Sequence, residues 1–260
     1  MDDLTVALQI ADIADQITLA RFGAADLEII TKGDLTPVSD ADRSCEKAIR
    51  EYLDKHRPGD GVIGEEFAQT KATTGREWIL DPIDGTKNYI RGVPIWASLI
   101  ALRDGDQIIT TVVSAPAINR RWYANAGDGA YVEELIGKKV VKRKLKVSKV
   151  SMIADASFAF AEIIEKDHWG SNYQQFLQLT NDVWRGRGFG DFWGHMLVAE
   201  GAVDFAIEPK LALWDMAALY LIVKEAGGSF TNLAGVDGVA GPGGISSNGL
   251  LHPELVKRFR

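Results

Sequence analysis

Between residues 3 and 22 apolar positions recur at helical spacing, with Leu4, Ala7, Ala11, Ala14 and Ile17 on one stripe before Gly23. The spacing predicts an amphipathic helix. A second helix is predicted over about 39–56, with Ala41, Cys45, Ala48 and Tyr52 on one side and Pro58-Gly59 as its stop. The period then changes. Short apolar runs bounded by turn residues follow at 62–63, 78–80, 95–102, 108–113, 121–124 and 130–132, and Asp104-Gly105 marks a hairpin between two of them. The middle of the chain reads as one antiparallel sheet.

Beyond Lys149 helices and strands alternate. Strands are predicted near 153–157, 203–207, 229–231 and 245–247, and helices around 172–180, 192–200 and 214–226, the last stopped by Gly227-Gly228. The fold class expected is α/β with an α+β first half. A soft boundary near residue 147 divides the chain into 1–147 and 148–260.

Composition narrows the function. With 260 residues, 46% hydrophobic and 25% charged, and no apolar run near the ~18 residues a spanning helix needs, the chain reads as a soluble globular protein. Its acidic start has no positive segment ahead of an apolar one, so a cytoplasmic location is expected. The single cysteine, Cys45, excludes an internal disulfide and a cysteine-based zinc cluster. A net charge of −7 repels nucleic acid on average. Residues 138–149 (KKVVKRKLKVSK) are a local exception, but they lack aromatics for base stacking and read as a solvated strand edge. Neither nucleic acid nor a membrane is an expected partner.

Several chemistries are missing. The four histidines are dispersed and form no H-E-x-x-H pair, and no G-x-S-x-G elbow or Walker A loop occurs. Residues 186–190 (GRGFG) match a dinucleotide fingerprint only loosely.

Carboxylate chemistry is present instead. The run WILDPIDGT, residues 78–86, sends an apolar strand into Asp81, after which Pro82 removes a ladder donor and Asp84 and Gly85 follow. The chain must leave the sheet here, which can turn Asp81, Asp84 and the Ile83 carbonyl toward one point. Two carboxylates about 4 Å apart repel by roughly 4 kcal/mol at an effective dielectric near 20, and a divalent cation removes that penalty. Oxygen-only ligation selects a hard ion such as Mg²⁺. The amides of Gly85 and Thr86 can cradle an anion if they open a helix or turn. A plain turn with a capping Asp also fits this motif taken alone.

The set of motifs resembles the inositol monophosphatase family of Mg²⁺-dependent phosphatases. Gly64-Glu65-Glu66, the DPIDGT run and Trp214-Asp215-Met216-Ala217-Ala218 stand in family order, with Lys32, residues 37–42 (PVSDAD) and Glu225 to Gly228 also in place. The resemblance implies a layered α-β-α-β-α sandwich, a homodimer and up to three Mg²⁺ ions per active site. It implies that Glu65, Asp81 and the Ile83 carbonyl hold one ion, that Asp81, Asp84 and Asp215 hold another, and that Glu65 helps with a third. Asp42 and Thr86 would pair to activate the attacking water with Glu65, and Asp84, Gly85 and Thr86 would hold the phosphate.

The metal residues leave the ester open. Residues 187–195 (RGFGDFWGH) place an acid among aromatics where inositol monophosphatases usually carry small residues, and Gly190-Asp191-Phe192-Trp193 resembles the histidinol-phosphate phosphatase branch. Histidinol phosphate carries an ammonium group and an imidazole, which suit carboxylates and an aromatic face. Arg187, Asp191, Glu208 and Asp215 are the expected substrate contacts. Asp191 can equally cap a helix, and Trp214 reads first as core. An inositol-1-phosphate or broad sugar phosphatase remains the alternative.

Overall fold

The computed structural model describes residues 1–31, 33, 37–161, 163, 166–241 and 243–260. Lys32 lies outside them.

The chain opens with α1 (Asp3–Arg21), whose first turn is capped by Asp2 accepting the Thr5 amide at 2.8 Å. A small hairpin, β1 (Ile29–Thr31) and β2 (Pro37–Ser39), leads into α2 (Asp40–His56). There the Asp42 carboxylate accepts the Ser39 amide at 2.9 Å, one half of a capping box. Next come β3 (Gly61–Gly64), β4 (Arg76–Asp84), the short α3 (Thr86–Ile90), β5 (Ala97–Asp104), β6 (Gln107–Ala115), β7 (Arg120–Asn125), β8 (Gly129–Ile136) and β9 (Lys139–Lys144). These seven strands form one sheet in the order β3-β4-β5-β6-β7-β8-β9. The expected antiparallel pairing holds except between β3 and β4, which run parallel.

The remaining elements are β10 (Ser157–Phe160), α4 (Lys166–Trp169), α5 (Tyr173–Asp182), β11 (Arg185–Arg187), α6 (Asp191–Ala199), β12 (Phe205–Glu208), α7 (Leu213–Glu225), β13 (Ser229–Thr231), β14 (Gly244–Ser247) and α8 (His252–Phe259). Their five strands form a second sheet ordered β11-β10-β12-β14-β13, parallel among the first three and antiparallel beyond. The strand expected at 153–157 is displaced: Ile153–Asp155 is a 3-10 turn, and the ladder begins only at Ser157.

Alternation along the strands produces the layers. On β4 and β5, Trp78, Leu80, Ile100 and Leu102 face α1 and α2, where they meet Val6, Ile10, Cys45 and Ile49. Their neighbours Ile79, Leu99 and Ala101 face the other way and pack with Phe192, Met196, Leu219 and Ile222 of α6 and α7. The second sheet in turn presents Phe158, Phe205 and Ile207 to Trp169, Phe176, Leu255 and Phe259 of α4, α5 and α8. The order is helices, sheet, helices, sheet, helices. The basic stretch forms the edge strand β9, largely exposed, with Lys142 4.5 Å from the Tyr131 ring centroid.

Candidate active site

Strand β4 carries the site because its sequence forces it out of register. Pairing with β5 is regular up to Asp81 and resumes only at Asp84, with Pro82 and Ile83 in the irregularity. Within it the Asp81 Oδ1 accepts the Ile83 amide at 2.9 Å, and Ser98 donates to the Pro82 carbonyl at 2.6 Å. Gly85 then adopts φ +83°, and a β-carbon there would come within 3.1 Å of the Ile95 carbonyl oxygen. Thr86 opens α3, its hydroxyl donating to the Ile83 carbonyl at 2.9 Å.

Asp215 arrives from the first turn of α7, where its carboxylate accepts the Ala212 amide at 2.7 Å. It joins Asp81 and Asp84, one carboxylate oxygen from each lying within 4.8 Å of the others. The electrostatics are severe. Burial holds the carboxyls of Asp81 and Asp84 well above the usual carboxylate range; Glu65, Asp84 and Asp215 add to the effect at Asp81, and Asp191 and Asp215 at Asp84. Asp42, buried on α2, is pushed up to about 6, by burial first and then by the Glu65 charge.

These groups border a cavity of about 580 Å³. Its wall includes Glu65, Asp81, Ile83, Asp84, Gly85, Thr86, Asp191, Glu208 and Asp215. The structure thus brings together nine of the eleven residues singled out from sequence. Asp42 and Arg187 are the exceptions. The expected Asp42–Thr86 hydrogen bond is not made, because the Thr86 hydroxyl serves Ile83 while Asp42 accepts from Ser39. Arg187 is exposed on the edge strand β11, where its guanidinium donates to the Gly186 carbonyl at 2.8 Å. Trp214, read first as core, packs against the core and also lines the cavity.

Asp191 is not the cap of its helix. Gly190 occupies the N-cap position and Asp191 is the first helical residue, at φ +49°, a left-handed backbone rare outside glycine. The Asn88 amide donates to its Oδ2 at 3.3 Å. The free amide of Phe192 is taken by Asp84, whose Oδ2 accepts it at 2.6 Å. Glu208 ends β12, nearly buried, its Oε1 3.4 Å from Nε2 of His195.

Sequence reasoning overlooked two kinds of residue. Lys87, His168 and Lys210 also line the cavity and were assigned nothing. Glu46, fully buried on α2, accepts the Glu66 amide at 2.8 Å through Oε2 and Arg50 at 2.8 Å through Oε1, and so ties down the turn that presents Glu65. Its only sequence signal is position: an acid one residue after Cys45, on the buried side of a predicted helix.

Comparison with known proteins fits this geometry. The model of the inositol monophosphatase family matches residues 2–260. A histidinol-phosphatase of Mycobacterium tuberculosis is 51% identical over 258 residues, covering 99% of this chain and 98% of that protein. One from Streptomyces coelicolor is 49% identical over 261 residues, covering 98% and 96%. Among solved structures, the extragenic suppressor protein suhB of Bartonella henselae superposes with a TM-score of 0.87 at 29% identity, covering 98% of this chain and 97% of that one.

Proposed function

The chain belongs to the inositol monophosphatase family, and we propose that it hydrolyses L-histidinol phosphate to L-histidinol and phosphate. One observation carries the substrate: the cavity that holds the Asp81, Asp84 and Asp215 cluster also holds Asp191 and Glu208. A neutral polyol gives two further acids little to do, whereas a substrate with an ammonium group beside its ester gives them a partner. The family resemblance and the two histidinol-phosphatases at about half identity support the same substrate.

The carboxylates fit a hard divalent metal. Three buried or half-buried acids with converging oxygens, two of them (Asp81 and Asp84) held above the usual carboxylate range by burial and then by neighbouring charges, are unstable together without a cation, and among the described residues no sulfur or imidazole joins them. We assign Mg²⁺, up to three per site, to Glu65, Asp81, the Ile83 carbonyl, Asp84 and Asp215. When bound, Mg²⁺ offsets the phosphate charge and makes water more acidic.

The chain's own groups do the rest. The amides of Gly85 and Thr86, with Asp84 beside them, seat the phosphate. The Thr86 hydroxyl donates its hydrogen bond to the Ile83 carbonyl, so its oxygen is left to accept from, and orient, the attacking water. Glu65 faces the same space and takes part in removing that water's proton, and Asp42 acts from behind through the field it shares with Glu65 and Asp81. Asp191 and Glu208 hold the ammonium end, with Asp215 at the junction. Residues 1–147, which contain the seven-stranded sheet, supply Glu65, Asp81 and Asp84; residues 148–260 supply Asp191, Glu208 and Asp215. A cytoplasmic homodimer completes the reading by resemblance, checked by sedimentation; no helix among the described residues is long and apolar enough to cross a membrane.

The test is kcat/KM under Mg²⁺ for L-histidinol phosphate and inositol 1-phosphate. Preference for the first by more than about tenfold is expected, a difference of roughly 1.4 kcal/mol in transition-state binding. Equal or reversed preference would replace the proposed substrate with a polyol phosphate.

A further inference from the structure

His195 follows Asp191 by four residues on α6, so the two share a side of the helix one turn apart. Asp191 is at the cavity wall, and His195 is fully buried. Three neighbours surround its ring. Nδ1 lies 2.8 Å from the Ser246 hydroxyl on β14, Nε2 lies 3.4 Å from Oε1 of Glu208, and the Phe230 ring centroid is 5.5 Å away. Burial lowers the pKa of this imidazole to about 4, so it is neutral near pH 7.

A neutral imidazole carries one proton, and its neighbours decide which nitrogen keeps it. The Ser246 hydroxyl can donate or accept, whereas a carboxylate can only accept. If the proton sat on Nδ1, the bare lone pair of Nε2 would face a carboxylate oxygen in a fully buried place, acceptor against acceptor. If it sits on Nε2, Ser246 donates to Nδ1 and a proton, not a lone pair, lies on the side of Glu208, although Nε2 makes no hydrogen bond among the described residues. Only this arrangement avoids setting acceptor against acceptor. At 3.4 Å the contact to Glu208 is longer than an ordinary N–H···O bond of about 2.9 Å, so the influence of the imidazole on the carboxylate is electrostatic.

We propose that His195, as its Nε2–H tautomer, is a positioning residue that steers the Glu208 carboxylate into the cavity and thereby sets the preference for an ester carrying a cationic amine. The proposal rests on the function proposed above and adds a residue to it. His195 touches neither the reacting atoms nor the carboxylate cluster. Its influence falls on binding of the amine end, and so on KM for that substrate more than on kcat.

Two measurements test it. Long-range ¹H–¹⁵N correlation spectra of the labelled enzyme at pH 7, with the His195 signals assigned by their loss in His195→Gln, should show a protonated Nε2 and a bare Nδ1. A proton on Nδ1, or on both nitrogens, overturns the proposal. The second measurement is the ratio of kcat/KM for L-histidinol phosphate over inositol 1-phosphate. In His195→Leu, which has no donor, the ratio should fall about tenfold, chiefly through KM for the amine ester. His195→Gln, which returns an N–H near the place of Nε2, should recover it to within about threefold of wild type. An unchanged ratio in His195→Leu, or equal losses in both variants, overturns the proposal. Should His195→Leu fail to fold, as read by its thermal transition, the tautomer and the Gln variant decide. A wild-type enzyme without preference for the amine ester would defeat the proposed substrate, while the tautomer would still test the positioning.

Discussion

Gly64→Ala tests the link between Glu46 and the metal-facing turn. A β-carbon at residue 64 would sit 2.1 Å from Oε1, 2.3 Å from Cδ and 2.5 Å from Oε2 of Glu46, all far inside van der Waals contact. Something has to move. The Gly64 backbone is not in the left-handed region, so the penalty is steric and not conformational. The Glu46 side chain would ordinarily swing aside, but it is fully buried and holds both the Arg50 guanidinium and the Glu66 amide at 2.8 Å. Displacing it breaks two charge-assisted hydrogen bonds and leaves a buried carboxylate poorly paired, a loss of about 3–5 kcal/mol. In a chain of this size that lowers Tm by roughly 10 °C. The assay is thermal unfolding at saturating Mg²⁺, with the Mg²⁺ concentration for half-maximal phosphatase activity measured on the same variants. That concentration should rise, because the released turn carries Glu65. A double-mutant cycle supplies the control: with Glu46→Ala the obstacle is gone, so Gly64→Ala should cost at least about 2 kcal/mol less there. A Gly64→Ala protein within about 2 °C of wild type, or one equally destabilised with and without Glu46, would refute the reasoning.

Other expectations follow from the geometry of the site. Asp81→Asn should nearly abolish hydrolysis while raising the Tm of the metal-free protein at pH 8, since it removes a buried charge that its neighbours oppose; an active variant would sink the metal assignment. Asp191→Asn suits the positive φ and should lower kcat/KM for L-histidinol phosphate by the equivalent of about 2–5 kcal/mol, with little change for inositol 1-phosphate; parallel losses on both would show a general role. Stability should also depend on pH through His195, whose folded pKa of about 4 lies below its ordinary 6.5. That contribution is present above pH 6.5 and is lost as pH falls toward and through 4, by up to about 3 kcal/mol. Unfolding free energies of wild type and His195→Gln measured from pH 7 to 4 should therefore converge on the acid side, and parallel curves would contradict the buried neutral imidazole.

The helices α1 and α2 were legible to within a residue or so at each end, because Asp2 and the Ser39–Asp42 pair supply caps that local sequence displays. The carboxylate cluster was legible for a similar reason: Pro82 and Gly85 announce a chain leaving its ladder between two acids. What escaped depended on contacts between distant segments. Glu46 resembles any solvated helical acid until Gly64 is packed against it, and His195 resembles a core histidine until Glu208 is brought beside it. Arg187 opens the segment 187–195 that the sequence marks for substrate choice, but β11 is an edge strand and leaves it exposed. The Asp42–Thr86 pairing came from the family resemblance, and local hydrogen bonds to Ser39 and Ile83 take its place here. The helix α8 was not anticipated, although Leu255 and Phe259 are spaced for it and Pro253 suits its first turn.

The bond from the Phe192 amide to Asp84 joins two parts of the enzyme through a main-chain atom. Any amino acid except proline at residue 192 offers that same N–H, so the bond itself does not depend on the side chains of residues 191–193, even though Phe192 is held in the core. Substrate range can therefore diverge by ordinary point mutation, over generations, while the hydrolytic machinery is inherited intact. The reverse does not hold. A change at Asp84 would remove the anchor and a metal-facing acid in one step, so no lineage can retune that residue for one task alone.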